Sequence, residues 1–210
     1  MYNVALVDLD DTLADFRTPM IATVNRVTGR DTVWEGYDIP EHAGLTHAEF
    51  IDILIREDII GQIGIHDSSR KFLNDLHRLN YYTVLITARG WHPEGRALTQ
   101  QWVAEHELDI DELIVVDAHQ SKTDVIGKFG DDIKFSIDDR MKHCREYSQT
   151  NSINHVLLYD AIWNQGMTRL NTDWDGYDYD ERIFDLSEII DHVEWATENR
   201  RDDNVRHISR

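Results

Sequence analysis

At 210 residues, 41% of them hydrophobic and six of them tryptophan, the chain is long enough for one good core, or for one core with a small appended domain. A formal net charge of −19 disfavours non-specific binding to duplex DNA, RNA or anionic membranes, but not a small phosphorylated substrate, because a bound cation and a few local donors can reverse the sign inside one pocket. No apolar run reaches the ~18 residues of a membrane span, the chain opens into strand formers without a basic leader, and the single Cys144 rules out an intramolecular disulfide; together these predict a cytoplasmic protein.

The first element is a short apolar strand, Val4-Ala5-Leu6-Val7, that runs into Asp8-Leu9-Asp10-Asp11-Thr12. Strands of this kind are buried on both faces of parallel sheets. This one delivers Asp8 and Asp10 to its C-terminal tip, where open α/β sheets place their ligands. Two carboxylates on alternate residues can hold a hard cation, with one left as nucleophile or proton carrier. Apolar residues Phe16, Met20, Ile21, Val24 and Val27 then predict a helix from Ala14 to Thr28. Thr46 with Glu49 three residues on is a capping box for a second helix through Phe50, Ile53 and Leu54. A third helix follows Asp67-Ser68-Ser69, and no strand is predicted between residues 14 and 75.

From Tyr81 strands and helices alternate. Tyr81 to Thr87 is a strand ending in a hydroxyl and followed by Ala88-Arg89-Gly90. A helix from about Ala97 to Glu107, a strand from Glu112 to Asp117 and another from Ile133 to Ile137 come next, the last ending in Asp138-Asp139. A helix at Met141 to Tyr147, a strand at His155 to Tyr159 and a final helix at Leu186 to Thr197 complete the pattern. It predicts an α/β, doubly wound parallel sheet. Adjacent carboxylates such as Asp138 and Asp139 repel unless a cation or donors offset them.

Asp8-x-Asp10-x-Thr12 after a hydrophobic strand resembles the first motif of the haloacid dehalogenase-like (HAD) phosphohydrolases. Thr87, a lysine, and the pair Asp138-Asp139 match the family's later motifs in order. Lys122, Lys128 and Lys134 are the candidate lysines; Lys122, just after the third strand, is preferred, although its spacing to Asp138 is somewhat long. The resemblance implies a HAD-like core at 1–13 and 76–198 and a small helical cap at 14–75, while the charged composition of 199–210 predicts a mobile tail. It further implies a Mg²⁺-dependent phosphomonoesterase. Asp8 would be the nucleophile, Asp10 the acid and base, and Thr12 would orient Asp10 or the loop. Thr87 and Lys122 would bind phosphoryl oxygens, and Asp8, the Asp10 carbonyl, and Asp138 or Asp139 would hold the metal.

The helical insert, Ser121-Lys122-Thr123, and Val156 to Asp160 followed by Trp163-Asn164 are similar to the 5'(3')-deoxyribonucleotidases. That layout implies a nucleotide substrate, with the aromatics Phe16, Trp34, Tyr37 and Phe50 available to stack the base and Ala88 and Arg89 beside the phosphate. Thr87-Ala88-Arg89 departs from the Thr-Ser-Pro that these enzymes tend to carry. Phosphosugar and polynucleotide 3'-phosphatases of the same superfamily are the alternatives, as is a non-catalytic HAD-like binding domain. A homodimer is compatible with the sequence.

Overall fold

The computed structural model describes residues 3–31, 39–117, 119–166, 170–171, 176–191 and 193. Six parallel strands form one sheet: β1 (Asn3–Val7), β2 (Tyr81–Thr87), β3 (Glu112–Val115), β4 (Ile133–Asp138), β5 (Val156–Tyr159) and β6 (Glu181–Ile183). Their spatial order is β6-β5-β4-β1-β2-β3, so β1 lies in the interior of the sheet. Its residues alternate between two cores, Ala5 and Val7 in one and Val4 and Leu6 in the other. Burial on both faces is why the strand reads as an unbroken apolar run.

Helices α3 (Ser69–Arg78) and α4 (Gly95–Glu105), with helical residues 186–191, cover the first face through Phe72, Leu76, Trp102 and Leu186. Helix α5 (Met141–Ser148) covers the second through Cys144 and Tyr147. Helices α1 (Arg17–Thr28) and α2 (His47–Arg56) instead form a separate apolar cluster with Ile39, Ile59 and Ile60. The capping box at the start of α2 forms, with Glu49 N–H donating to Thr46 Oγ1 at 3.3 Å and Thr46 N–H to Glu49 Oε2 at 2.8 Å.

Several boundaries differ from the sequence expectation. The stretch from 14 to 75 is not free of strands: Ala14–Asp15 pairs antiparallel with Gly64–Ile65, which ties the start of the insert to its end. Two-residue ladders carry too little apolar alternation to be seen in sequence. The first helix consequently begins at Arg17 rather than Ala14. The limit drawn at residue 75 falls inside α3, whose buried residues belong to the sheet's core. Strand β6 was not anticipated, and the last residues of the expected final helix and the 199–210 tail lie outside the described residues. No described helix is long and apolar enough to cross a membrane.

Candidate active site

Strand register brings the acidic tips together. Val7 pairs with Ile137 on one side and with Leu85 on the other, so the next residues, Asp8 and Asp138, emerge level with each other. The Asp8 N–H continues the ladder by donating to Ile137 O at 3.0 Å. Carboxylate oxygens of Asp8, Asp138 and Asp139 then lie within 4.8 Å of one another, all three residues buried.

Lys122 reaches this cluster from a short 3₁₀ turn, Lys122–Val125. Ser121 fixes that turn: its hydroxyl accepts from the Thr123 N–H at 3.2 Å and donates to Glu146 of α5 at 2.7 Å. The Lys122 ammonium, 1% exposed, donates to Asp8 Oδ1 at 2.5 Å and to Asp138 Oδ2 at 2.7 Å. Lys128 is at the surface, bonded to Glu112.

The three acids differ in how fully they are occupied. Asp138 accepts from Lys122, from the Arg140 N–H at 2.9 Å and from His143 Nδ1 at 3.0 and 3.1 Å. Burial alone would raise its pKa, but His143 and Lys122 hold it well below the carboxylate range. Asp139 accepts from the Trp163 indole at 2.8 Å through Oδ2. Burial, with Asp8 and Asp138 alongside, pushes it well above its ordinary value. Burial also lifts Asp8 to about 7, against the pull of Lys122 and with Asp138 and Asp10 adding to the rise. Burial depresses His143. Lys122 stays well above the ordinary lysine value because Asp138 and Asp8 outweigh its desolvation.

One ammonium therefore faces three buried carboxylates, a deficit that a divalent cation would fill. All-oxygen ligation by carboxylates is the chemistry of Mg²⁺ rather than of a soft metal. The residues fit that ion, and Asp139, with fewer hydrogen bonds than Asp138, is the more available of the pair.

Asp10 and Thr87 complete the floor of a cavity of about 400 Å³, with Thr87 donating to Asp10 Oδ2 at 3.2 Å. Ala88 and Phe16 line the same cavity, and Phe50, Met20 and Leu54 line it from the insert. Trp34 and Tyr37 lie outside the described residues. Two expectations are corrected. Thr12, expected to orient Asp10 or the loop, is fully buried and its hydroxyl donates to Asp8 at 3.3 Å, not to Asp10. Arg89 is also fully buried and bonded to Asp10, so it offers no surface to a substrate.

Sequence reasoning missed His143, Trp163 and Trp91 around the cavity. His143 carried a signal, since it sits on the first turn of the helix that follows the acidic pair. Trp163 had a weaker one; its loop is held by Asn164 Nδ2, which donates to Asp139 O at 2.7 Å and to Tyr159 O at 2.8 Å. A wider open groove of about 980 Å³ shares His47, Ile51, Trp91 and His119 with the cavity and also carries Asp52 and Asp117.

A parallel sheet ordered this way, flanked by helices on both faces, is the Rossmannoid α/β fold of the HAD type. No family model matches the chain, and neither does any curated protein. Solved structures of the same fold do. A HAD-superfamily hydrolase of subfamily IA from Geobacter sulfurreducens PCA superposes with a TM-score of 0.57 at 13% identity, over 91% of this chain and 99% of that one. A predicted phosphatase from Clostridium acetobutylicum gives 0.65 at 14%, over 92% and 98%. A protein assigned as a HAD-hydrolase, YfnB from Bacillus subtilis, solved bound to magnesium, gives 0.61 at 12%, over 91% and 98%.

Proposed function

We propose that the chain is a Mg²⁺-dependent phosphomonoesterase that works through an aspartyl phosphate on Asp8. The observation that carries this reading is the buried cluster of Asp8, Asp138, Asp139 and Lys122, of which Asp8, Asp139 and Lys122 line a cavity of about 400 Å³. The HAD hydrolases and phosphatases that share the fold support it. Asp8, Asp139 or Asp138, and the Asp10 carbonyl would hold the ion; when bound, Mg²⁺ offsets charge on the phosphoryl oxygens.

Lys122 holds Asp8 Oδ1, which leaves Oδ2 with only the long bond from Thr12. An Asp8 oxygen attacks phosphorus, the ester P–O bond breaks, and Asp10 gives its proton to the leaving oxygen. Asp10 then takes a proton from water, whose oxygen attacks the same phosphorus. Inorganic phosphate leaves and the Asp8 carboxylate is restored. Thr87 and Lys122 hold phosphoryl oxygens throughout.

Residues 16–63 serve as the cap, and the substrate is a nucleoside 5'-monophosphate. Phe16 and Phe50 line the cavity with apolar surface that suits a base, worth about 1–3 kcal/mol of stacking. The Asp52 and Asp117 side chains in the adjoining groove disfavour a polynucleotide, whose backbone needs cations there. Phosphate release with Mg²⁺ from nucleoside monophosphates, sugar phosphates and a 3'-phosphorylated oligonucleotide tests this, with Asp8→Asn alongside. Release from nucleotides that vanishes in Asp8→Asn is expected. Release from sugar phosphates alone would keep the mechanism and discard the nucleotide; no release at all would discard both.

A further inference from the structure

We propose that Arg89 is the positioning residue of Asp10, an assignment that rests on the phosphatase reading above. Its guanidinium is fully buried and aimed at one carboxylate: Nε lies 3.1 and 3.0 Å from the two Asp10 oxygens, and Nη2 lies 2.5 Å from Oδ1. Nη1 turns the other way, to Thr99 Oγ1 at 3.4 Å, and the group sits over the Trp102 ring at 5.6 Å. Thr99 is fixed in turn by donating to Gly95 O at 2.7 Å.

The backbone around the arginine is equally confined. A Cβ on Gly95 would overlap the Arg89 carbonyl oxygen, and one on Gly90 would come 2.6 Å from Val116 O. No larger residue fits either place without moving the loop. The fork therefore has one orientation, and it dictates the plane of the Asp10 carboxylate. Asp10 itself is 23% exposed and faces the cavity. Lysine, a point charge on a flexible stem, cannot reproduce a planar grip on both oxygens. Arg89 stands at the position where this chain departs from the deoxyribonucleotidase pattern, and the departure serves the proton carrier rather than the phosphate.

Positioning of a proton carrier has a kinetic signature that general loss of structure lacks. Alkyl phosphates need their leaving oxygen protonated, whereas p-nitrophenolate departs unaided. In Arg89→Lys, kcat/KM for an alkyl phosphate should fall ~10²-fold or more while that for p-nitrophenyl phosphate stays within about threefold. Turnover of p-nitrophenyl phosphate should also begin with a burst stoichiometric with enzyme, because Asp10 is needed again to activate water. Thr99→Val, which keeps the arginine and its charge, should show the same selectivity at a smaller size and decides the matter if Arg89→Lys does not fold. Equal losses on both esters, or none on either, would overturn the assignment alone. A wild-type chain that hydrolyses neither ester would overturn the phosphatase reading and this assignment together.

Discussion

Across the cavity two surfaces face each other that solve different physical problems. At the floor and just beneath it, Asp8, Asp138, Asp139 and Lys122 are each at most 6% exposed; Lys122 donates to both Asp8 and Asp138, Thr12 to Asp8 and Trp163 to Asp139. On the opposite wall, Phe16, Met20, Phe50 and Leu54 offer apolar surface with no directional bond. Charges taken out of water are stable only when every partner is in place, so the floor tolerates almost no change. An apolar wall tolerates substitution if volume is kept, so it is free to vary with substrate.

The largest effect is expected where this contrast is sharpest. Lys122→Met leaves Asp8 and Asp138 buried against each other without their shared cation, and removal of one partner from a buried ion pair costs about 3–5 kcal/mol. Urea unfolding should show a loss of that order. Lys128→Met, which breaks a pair with the lysine side chain 52% exposed, should leave the midpoint almost unmoved. A Lys122 variant as stable as wild type would mean that the floor is not a coupled unit.

Metal binding should follow the same logic. Asp8 must be ionised to ligate, yet burial lifts it to about 7, and burial likewise pushes Asp139 well above its ordinary value. Mg²⁺ therefore displaces protons, and its affinity should fall as pH drops through neutrality, about tenfold per pH unit for each proton displaced. Calorimetry in buffers of different ionisation enthalpy would count those protons; a count of zero at pH 7 would contradict the buried acids.

Changes to the wall should alter choice of substrate rather than stability. Phe16→Leu keeps most of the volume but removes the ring. If a base stacks there, kcat/KM for nucleoside monophosphates should fall by about 1 kcal/mol, some five- to tenfold, with small phosphate esters unaffected. Parallel losses on both substrate types would assign Phe16 to packing alone.

The same contrast explains what could be read in the sequence. Asp8, Thr87 and Asp138-Asp139 follow apolar strands, and parallel register carries strand tips to one place. Lys122 was readable because only five of the 21 basic residues are lysines and, of the two between the third and fourth strands of the sheet, it stands nearer the tip of the third. Arg89 was misread because a basic residue beside a phosphate site looks like a substrate contact; nothing local reveals that its fork is spent on Asp10, seventy-nine positions away. The wall was harder still. Met20, Phe50 and Leu54 obey a helical period that is the same whether a residue packs a core or lines a cavity.

Thr46 separates the stability of the wall from its shape. Its hydroxyl accepts the Glu49 N–H and its own N–H is held by the Glu49 carboxylate, which closes the first turn of the helix that carries Phe50 and Leu54. Hydrogen bonding also lowers the Glu49 pKa, first through the Thr46 N–H and then through its hydroxyl. Thr46→Ala removes the hydroxyl at an exposed position without touching the cavity, and loss of such a cap should lower the melting temperature by about 2–4 °C. Substrate preference should not change, because the tilt of the helix is set by its apolar contacts with α1 and not by its cap. A shift in preference between nucleotides and small esters, measured on the same preparation, would show instead that the first turn aims the wall, and would make the insert as geometrically exacting as the strand tips beneath it.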